Sequence, residues 1–338
     1  MRSAPVYVGV DVGGSKVLAV ALPADPDSCA VVRSVQLPMP GRDVPDDRLE
    51  AVLADAVARI AIDAPVAAVG ISSAGLVDGE RVRFAAHLPW RDAPVRRRLE
   101  ERLGVTVVLE NDANCAAHAE VAAGSARGVS SALLVTVGTG IGGAVIIDGR
   151  VVRGAQGMAG EFGHMQVVPD GLECECGLRG CWEQYCSGRA LERVMRVAVG
   201  SHLEGPAVAA AARAGDQVAR QAIASVGTWL GVGIAGLVSA FDPAVVVVGG
   251  GVSSVGDLLL DPARAALLQS LQAPEHRDVP RLVPTAFGPE AGAVGAAILA
   301  RTPDRRTLRG RRIRGVRRRP RDPAANRAAW PRGTRTPR

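Results

Sequence analysis

Tyr7-Val-Gly-Val-Asp-Val-Gly-Gly-Ser-Lys-Val-Leu-Ala-Val-Ala-Leu22 reads as a strand, a glycine turn and a second strand, and Leu133-Leu-Val-Thr-Val-Gly-Thr-Gly-Ile-Gly-Gly-Ala-Val-Ile-Ile147 repeats the plan. Apolar residues fill both arms, while glycines with Ser15 and Thr139 occupy the bends. Each hairpin is set to continue into another short strand. A plan used twice points to a duplicated lobe with an antiparallel hairpin opening each half. Elsewhere helical and strand patterns alternate. Helices are expected at 46–62, 95–103, 113–123, 190–197, 206–212, 217–239, 255–271 and 291–299, and strands at 67–72, 105–109, 245–248 and 281–284. The class is α/β with mixed sheets, and two lobes imply a cleft between them.

At 338 residues with 48% apolar side chains the chain can bury a large core, and with 3% aromatics that core falls to Val, Ala and Leu. The formal charge of +6 is unevenly spread. From Arg301 onward fifteen arginines face Asp304 and Asp322, so the tail carries +13 and residues 1–300 carry −7. The folded part is therefore acidic, and the tail is expected to be disordered. Arginines without interleaved aromatics attract phosphates without specificity, so no specific nucleic-acid partner is expected. Too few residues precede Asp11 for a signal segment, and a reduced, cytoplasmic chain is the expectation. Residues 221–241 form an uncharged run of 21. That length could cross a bilayer. Four glycines, Thr228 and Ser239 dilute it, and Asp242-Pro243 and a strand pattern follow at once, so a buried helix and no membrane association are expected.

Gly138-Thr-Gly-Ile-Gly-Gly143 matches the dinucleotide fingerprint in letters only, because a strand rather than a helix follows it. Both hairpin bends are readable as ordinary tight turns. They are equally readable as bare backbone N–H groups and hydroxyls able to converge on phosphates from two sides of a cleft. A third loop, Gly249-Gly-Gly251, leaves a buried strand and permits close approach of a flat ring or of a helix. Three such loops together favour a nucleotide.

Glu161-Phe-Gly-His164 and Cys174-Glu-Cys176-Gly-Leu-Arg-Gly-Cys181-Trp-Glu183 place one His and three Cys within eighteen residues. In a reduced chain this spacing favours closed, structural tetrahedral zinc over a disulfide or buried thiols. Such a knot would fix Glu161, His164 and Glu183 relative to one another, as a polar small-molecule pocket requires. Cys29 and Cys115 are expected to be packing residues, and Cys186 a spare thiol. Asp112 stands between a strand and a helix, where it could cap the helix or face the cleft as an ionised carboxylate able to accept a hydroxyl proton. Spacing leaves both open.

Asp11-Val-Gly-Gly-Ser-Lys16, Glu110-Asn-Asp-Ala-Asn114, the Gly138 loop, Glu161-Phe-Gly-His164, the cysteine run ending in Glu183, and Gly249-Gly-Gly251 occur in the order seen in the ROK family of sugar kinases and repressors, over about residues 5–300. The chain most resembles the family's bacterial ATP-dependent glucokinases. The resemblance implies an actin-like, hexokinase-type fold of two lobes on duplicated ribonuclease-H-like cores. The lobes are expected at 1–118 and 119–288, with the last helix, about 289–300, packing back on the first and 301–338 as the Arg-rich tail. The resemblance further implies that Asp112 is general base toward the 6-hydroxyl of glucose, with Asn111, Glu161, His164 and Glu183 holding other hydroxyls. Asp11, Gly13, Gly14, Ser15, Lys16, Thr139 and Gly140 would surround the phosphates of ATP and Mg2+, and Gly250 and Gly251 the adenosine. His164, Cys174, Cys176 and Cys181 would bind the structural Zn2+. A homodimer or tetramer is the implied assembly. Other hexoses, N-acetylhexosamines, polyphosphate as donor, or sugar sensing without catalysis are the alternatives that the resemblance leaves open. Repressors of the family carry a helix-turn-helix ahead of the Asp11-type loop, and only ten residues precede Asp11 here. One departure concerns the sugar-side loop, which reads His87-Leu-Pro-Trp90 where relatives carry Asn-Leu-Pro-Gly-Trp, leaving His87 to bond a hydroxyl or to shape the loop.

Overall fold

A computed structural model describes residues 4–302. Most of the Arg-rich tail, from residue 303 on, lies outside the described residues. Two five-stranded sheets share one plan. In the first, β1 (Val6–Val12) pairs antiparallel with β2 (Lys16–Pro23), which pairs antiparallel with β3 (Arg33–Pro38). On its other side β1 runs parallel to β4 (Val66–Ser73), and β4 to β8 (Thr106–Asn111). In the second sheet β9 (Ser131–Val137) forms the hairpin with β10 (Ile141–Ile147), continued by β11 (Arg150–Val151), and runs parallel to β12 (Val245–Gly249), which pairs with β13 (Arg281–Pro284). The orders β3-β2-β1-β4-β8 and β11-β10-β9-β12-β13 thus correspond strand for strand. Four valines in succession suit β12, because both of its faces are buried.

Helices α1 (Asp46–Ile60) and α2 (Val95–Leu103) cover the outer face of the first sheet. Between them a three-stranded sheet of β5 (Leu76–Val77), β6 (Val82–Phe84) and β7 (Arg91–Ala93) was not expected, its strands being too short to leave a periodic pattern. Helices α4 (Gly188–Val199), α5 (Gly205–Arg213), α6 (Gln217–Phe241) and α7 (Asp257–Ser270) cover the outer face of the second sheet. Among the described residues α6 alone is long and apolar enough to cross a membrane, yet 61% of its most apolar window is buried. Glycines 227 and 231 bring it onto the backbone of α7, and Gly233 onto Trp182. The helix expected to begin at 255 begins two residues later, after a 3-10 turn over Gly251–Val255.

The remaining two helices lie between the sheets. Helix α3 (Asp112–Ala123) packs its alanines on β9, β10 and β11, and α8 (Ala291–Arg301) lies on β1 and β4. Their contacts are backbone to backbone. A Cβ added at Gly9 or Gly70 would fall 1.9 Å from a carbonyl of α8, and one at Gly295 would fall 1.7 Å from Cys115 O in α3. Cys115 is wholly buried in this seam, and Cys186 is wholly buried in the core of the second sheet. Because strands and helices at the seam cannot give way, Gly70→Ala should destabilise the fold by about 3 kcal/mol. Urea unfolding measures this, and a loss under about 1 kcal/mol would show that the seam is loose.

Candidate active site and metal centre

The strand ends of the two sheets meet beside the N-terminus of α3. Asn111 ends β8 and caps α3, its Oδ1 accepting from the N–H groups of Ala113 at 2.9 Å and Asn114 at 3.2 Å, while its Nδ2 donates to Gly75 O at 3.1 Å. The cap is therefore Asn111, and Asp112 is the first helical residue. The capping role that spacing offered to Asp112 thus falls to Asn111. Asp112 accepts from Ala113 N at 2.9 Å and lies near the carboxylates of Asp11 and Glu161. Desolvation, then the nearby Asp11 charge and that of Glu161, push Asp112 up to about 7, against the Ala113 N–H that favours its charged form.

Asp11, on the last turn of β1 before the bend, accepts from Ser72 Oγ at 2.5 Å. Burial raises its pKa, opposed by that hydrogen bond and by Lys16. Ser72 was missed in the sequence, where a serine pair closing a buried strand was the available signal. The first bend closes by Gly13 N donating to Lys16 O at 3.0 Å, leaving Gly14 and Ser15 exposed. The second closes by Gly138 N donating to Gly140 O at 3.0 Å, leaving Thr139 exposed. Gly250, at φ 85, folds its backbone against Val137, so its freedom serves the approach to β9. Gly251 faces open space. These glycine loops lie at the ends of β1, β9 and β12.

Arg153, also missed, joins the two sides. Its Nε donates to Glu110 Oε2, while Glu110 Oε1 accepts from Asn111 N at 3.0 Å and Asn114 Nδ2 at 3.1 Å. The Arg153 carbonyl accepts from Ala159 N at 3.1 Å, closing the turn that leads to Glu161. One residue thus grips the end of β8 ahead of Asp112 with its side chain and the Glu161 loop with its backbone. Desolvation and the Glu183 charge raise Glu161, while His164 opposes them. Glu183 lies against Gly140, where an added Cβ would come within 2.5 Å of Glu183 Oε2. Asp11, Asp112, Glu161 and Glu183 are thereby gathered from four separate stretches of chain.

His164, Cys174, Cys176 and Cys181 bring their ligand atoms within 4.8 Å of one another. Cys176 Sγ and Cys181 Sγ are 3.6 Å apart, and Cys174 Sγ and His164 Nδ1 3.8 Å. A tetrahedron with ligands about 2.3 Å from its centre has edges of about 3.8 Å, so the donor set and spacing fit zinc. Burial pushes the Cys174 thiol up to about 12, so a bound cation must displace its proton. Glu183 Oε1 is 3.8 Å from His164 Nδ1 and accepts from Cys174 Sγ at 3.2 Å, tying the metal loop to the cleft wall. Protein purified without chelator should carry about one zinc per chain by elemental analysis, and Cys174→Ser should lose it. Metal-free protein of unchanged thermal stability would refute the site.

The ROK family matches residues 7–303. The glucokinase of Streptomyces coelicolor is 40% identical over 316 residues, covering 88% of this chain and 98% of that one. A crystal structure of a ROK family glucokinase from Streptomyces griseus, in complex with glucose and AMPPNP, matches with a TM-score of 0.81 at 40% identity, over 88% of this chain and 99% of the other. A ROK hexokinase from Thermus thermophilus matches at 0.71 and 38% identity, over 87% and 97%. With two sheets of corresponding order, the four carboxylates at their junction and this span of likeness, the chain belongs to the ROK family.

Proposed function

We propose that this protein is a glucokinase, transferring the γ-phosphoryl group of ATP to the 6-hydroxyl of glucose. The observation that carries the reading is the placing of Asp112, a carboxyl buried beside Asp11 and Glu161 at the junction of the sheets, where that burial raises it to about 7. A general base works best with a pKa near the operating pH, because it is then substantially ionised yet basic enough to take a proton in the transition state. Asp112 accepts the proton of the 6-hydroxyl as the oxygen attacks in line. Asn111, Glu161, His164 and Glu183 hold the other hydroxyls. With His164 Nδ1 turned to the thiols, its Nε2 is the atom left for a sugar.

The Gly13–Ser15 and Gly138–Gly140 bends, with Lys16 and Thr139, take the donor phosphates, and Gly251 offers its open face toward the nucleoside. Magnesium, when bound, neutralises charge on the phosphates, and the Asp11 carboxylate, aligned by Ser72, is the oxygen donor that suits it. Zinc in the thiol cluster would supply rigidity to Glu183 and His164. The thiols keep this role in a reducing compartment, for which we take the cytoplasm. We read residues 1–118 with the last helix, and 119–288, as the two lobes that close on the sugar and exclude water.

A coupled ADP-release assay across glucose, mannose, fructose, N-acetylglucosamine and N-acetylmannosamine should give a strong preference for glucose. Turnover with none of them would end the kinase reading. Asp112→Asn should lower kcat by about 1,000-fold while retaining zinc. The same substitution should raise Tm, and more at pH 8 than at pH 5. A carboxyl whose folded pKa lies above its unfolded value favours the folded state below the unfolded pKa and loses that contribution as pH rises through the folded one, so the burden grows toward alkaline pH. For the active protein, log kcat/KM for glucose should bend downward on acidification near pH 7, and an inflection near pH 4 would assign the proton transfer to an unperturbed group.

A further inference from the structure

One contact spans the mouth of the cleft. Arg189, the second residue of α4, places its NH2 group 3.1 Å from His87 Nε2, on the loop between β6 and β7 of the first lobe. Its NH1 group donates to Glu175 Oε1 at 2.9 Å, in the thiol loop. Both neighbours lead to the phosphate bends. The His87 Cβ lies 3.5 Å from where a Cβ on Gly14 would stand, on the first bend. Gly188, next to Arg189, donates its N–H to Gly138 O at 2.7 Å, on the second, and a Cβ at Gly188 would come within 3.7 Å of Val252 beside the third glycine loop. A single guanidinium is therefore suspended between the loops at the ends of β1, β9 and β12.

We propose that Arg189 is the cation that meets the phosphoryl chain of the nucleotide donor. The inference rests on the placing of those phosphates between the two bends. The cleft is crowded with carboxylates, and of the residues on the two bends only Lys16 is cationic. A triphosphate brought to this wall needs positive charge besides a metal ion and backbone N–H groups. Arg189 supplies it from a helix N-terminus, where the backbone adds its own positive end. Ser187 Oγ caps that helix through Ala190 N at 3.1 Å, which fixes the direction in which Arg189 leaves it. The guanidinium is planar and rich in donors, and only its NH1 and NH2 groups are engaged, so phosphate oxygens can be added to the present partners. His87 Nε2 faces its NH2 group and Glu175 pairs with its NH1 group, which places the guanidinium between the two loops. His87, in the position where the resemblance raised a sugar contact, thus faces the arginine. Arg193, one turn further along the helix, donates instead to Gln184 O and does not compete for this place.

The test is calorimetric binding of adenosine, ADP and AMPPNP with magnesium to the full chain, the Arg189→Met variant and the Arg189→Lys variant, with zinc content measured for each. Arg189→Met should weaken AMPPNP by about tenfold or more, ADP by less, and leave adenosine within about twofold, because the lost contact is a charge-assisted hydrogen bond to phosphate. Arg189→Lys should recover part of the loss. Equal losses for adenosine and AMPPNP, loss of zinc in Arg189→Met, or undiminished AMPPNP binding would each overturn the proposal, as would a wild-type chain that does not bind AMPPNP. A wild-type chain that binds AMPPNP with this Arg189 dependence and phosphorylates no hexose would leave the assignment standing and remove the kinase reading alone.

Discussion

Close packing of α3 and α8 between the sheets is the constraint from which the rest of the structure follows. Gly9, Gly70 and Gly295 let helix and strand backbones approach within distances that no side chain permits, and alanines fill what remains. The result is a tightly packed seam beside Asp112. Asp112 begins one of the two helices at that seam, so the packing that stabilises the fold is also what strips water from the carboxylate. Burial of the apolar seam and destabilisation of one charge are two consequences of the same geometry. The fold bears that cost at the residue we propose takes the proton.

Around Asp112 the chain divides its labour between backbone and side chains. Gly14, Ser15 and Thr139 at the two bends are exposed and suited to anions, while carboxylates brought from Asp11, Glu161 and Glu183 are suited to hydroxyls and to a divalent cation. Two polar bridges reach elements of the second half of the chain, one from Glu110 at the end of β8 to Arg153 near the base and one from His87 on the β6–β7 loop to Arg189 near the mouth. The first is buried on its Glu side and the second is exposed. The thiol cluster lies in the same wall as Glu183 and His164, so the proposed metal and sugar sites share one loop.

What could be read in the sequence was what is local. The hairpins, the helix after Asp112, the valine strand and the four-ligand run each lie within a few tens of residues, where period and spacing carry the signal. The motif order along 5–300 added the roles. Other features depend on distant pairing. Arg153 finds Glu110 across 43 residues and Arg189 finds His87 across 102, and neither arginine stands out from the others by its neighbours in sequence. Spacing offered Asp112 as the cap of α3, one position late, because Asn and Asp are both good caps and only the backbone geometry assigns the role to Asn111. The β5–β7 sheet escaped because strands of two or three residues have no period to detect.

The central claim is that the cleft holds Asp112 near neutrality, and infrared difference titration of the wild-type chain against Asp112→Asn measures it directly. A carboxyl C=O band present in wild type, absent in the variant and fading with a midpoint near pH 7 is the predicted result. A midpoint near pH 4 would mean that water reaches the carboxylate freely, and that the seam between the sheets does not set its chemistry.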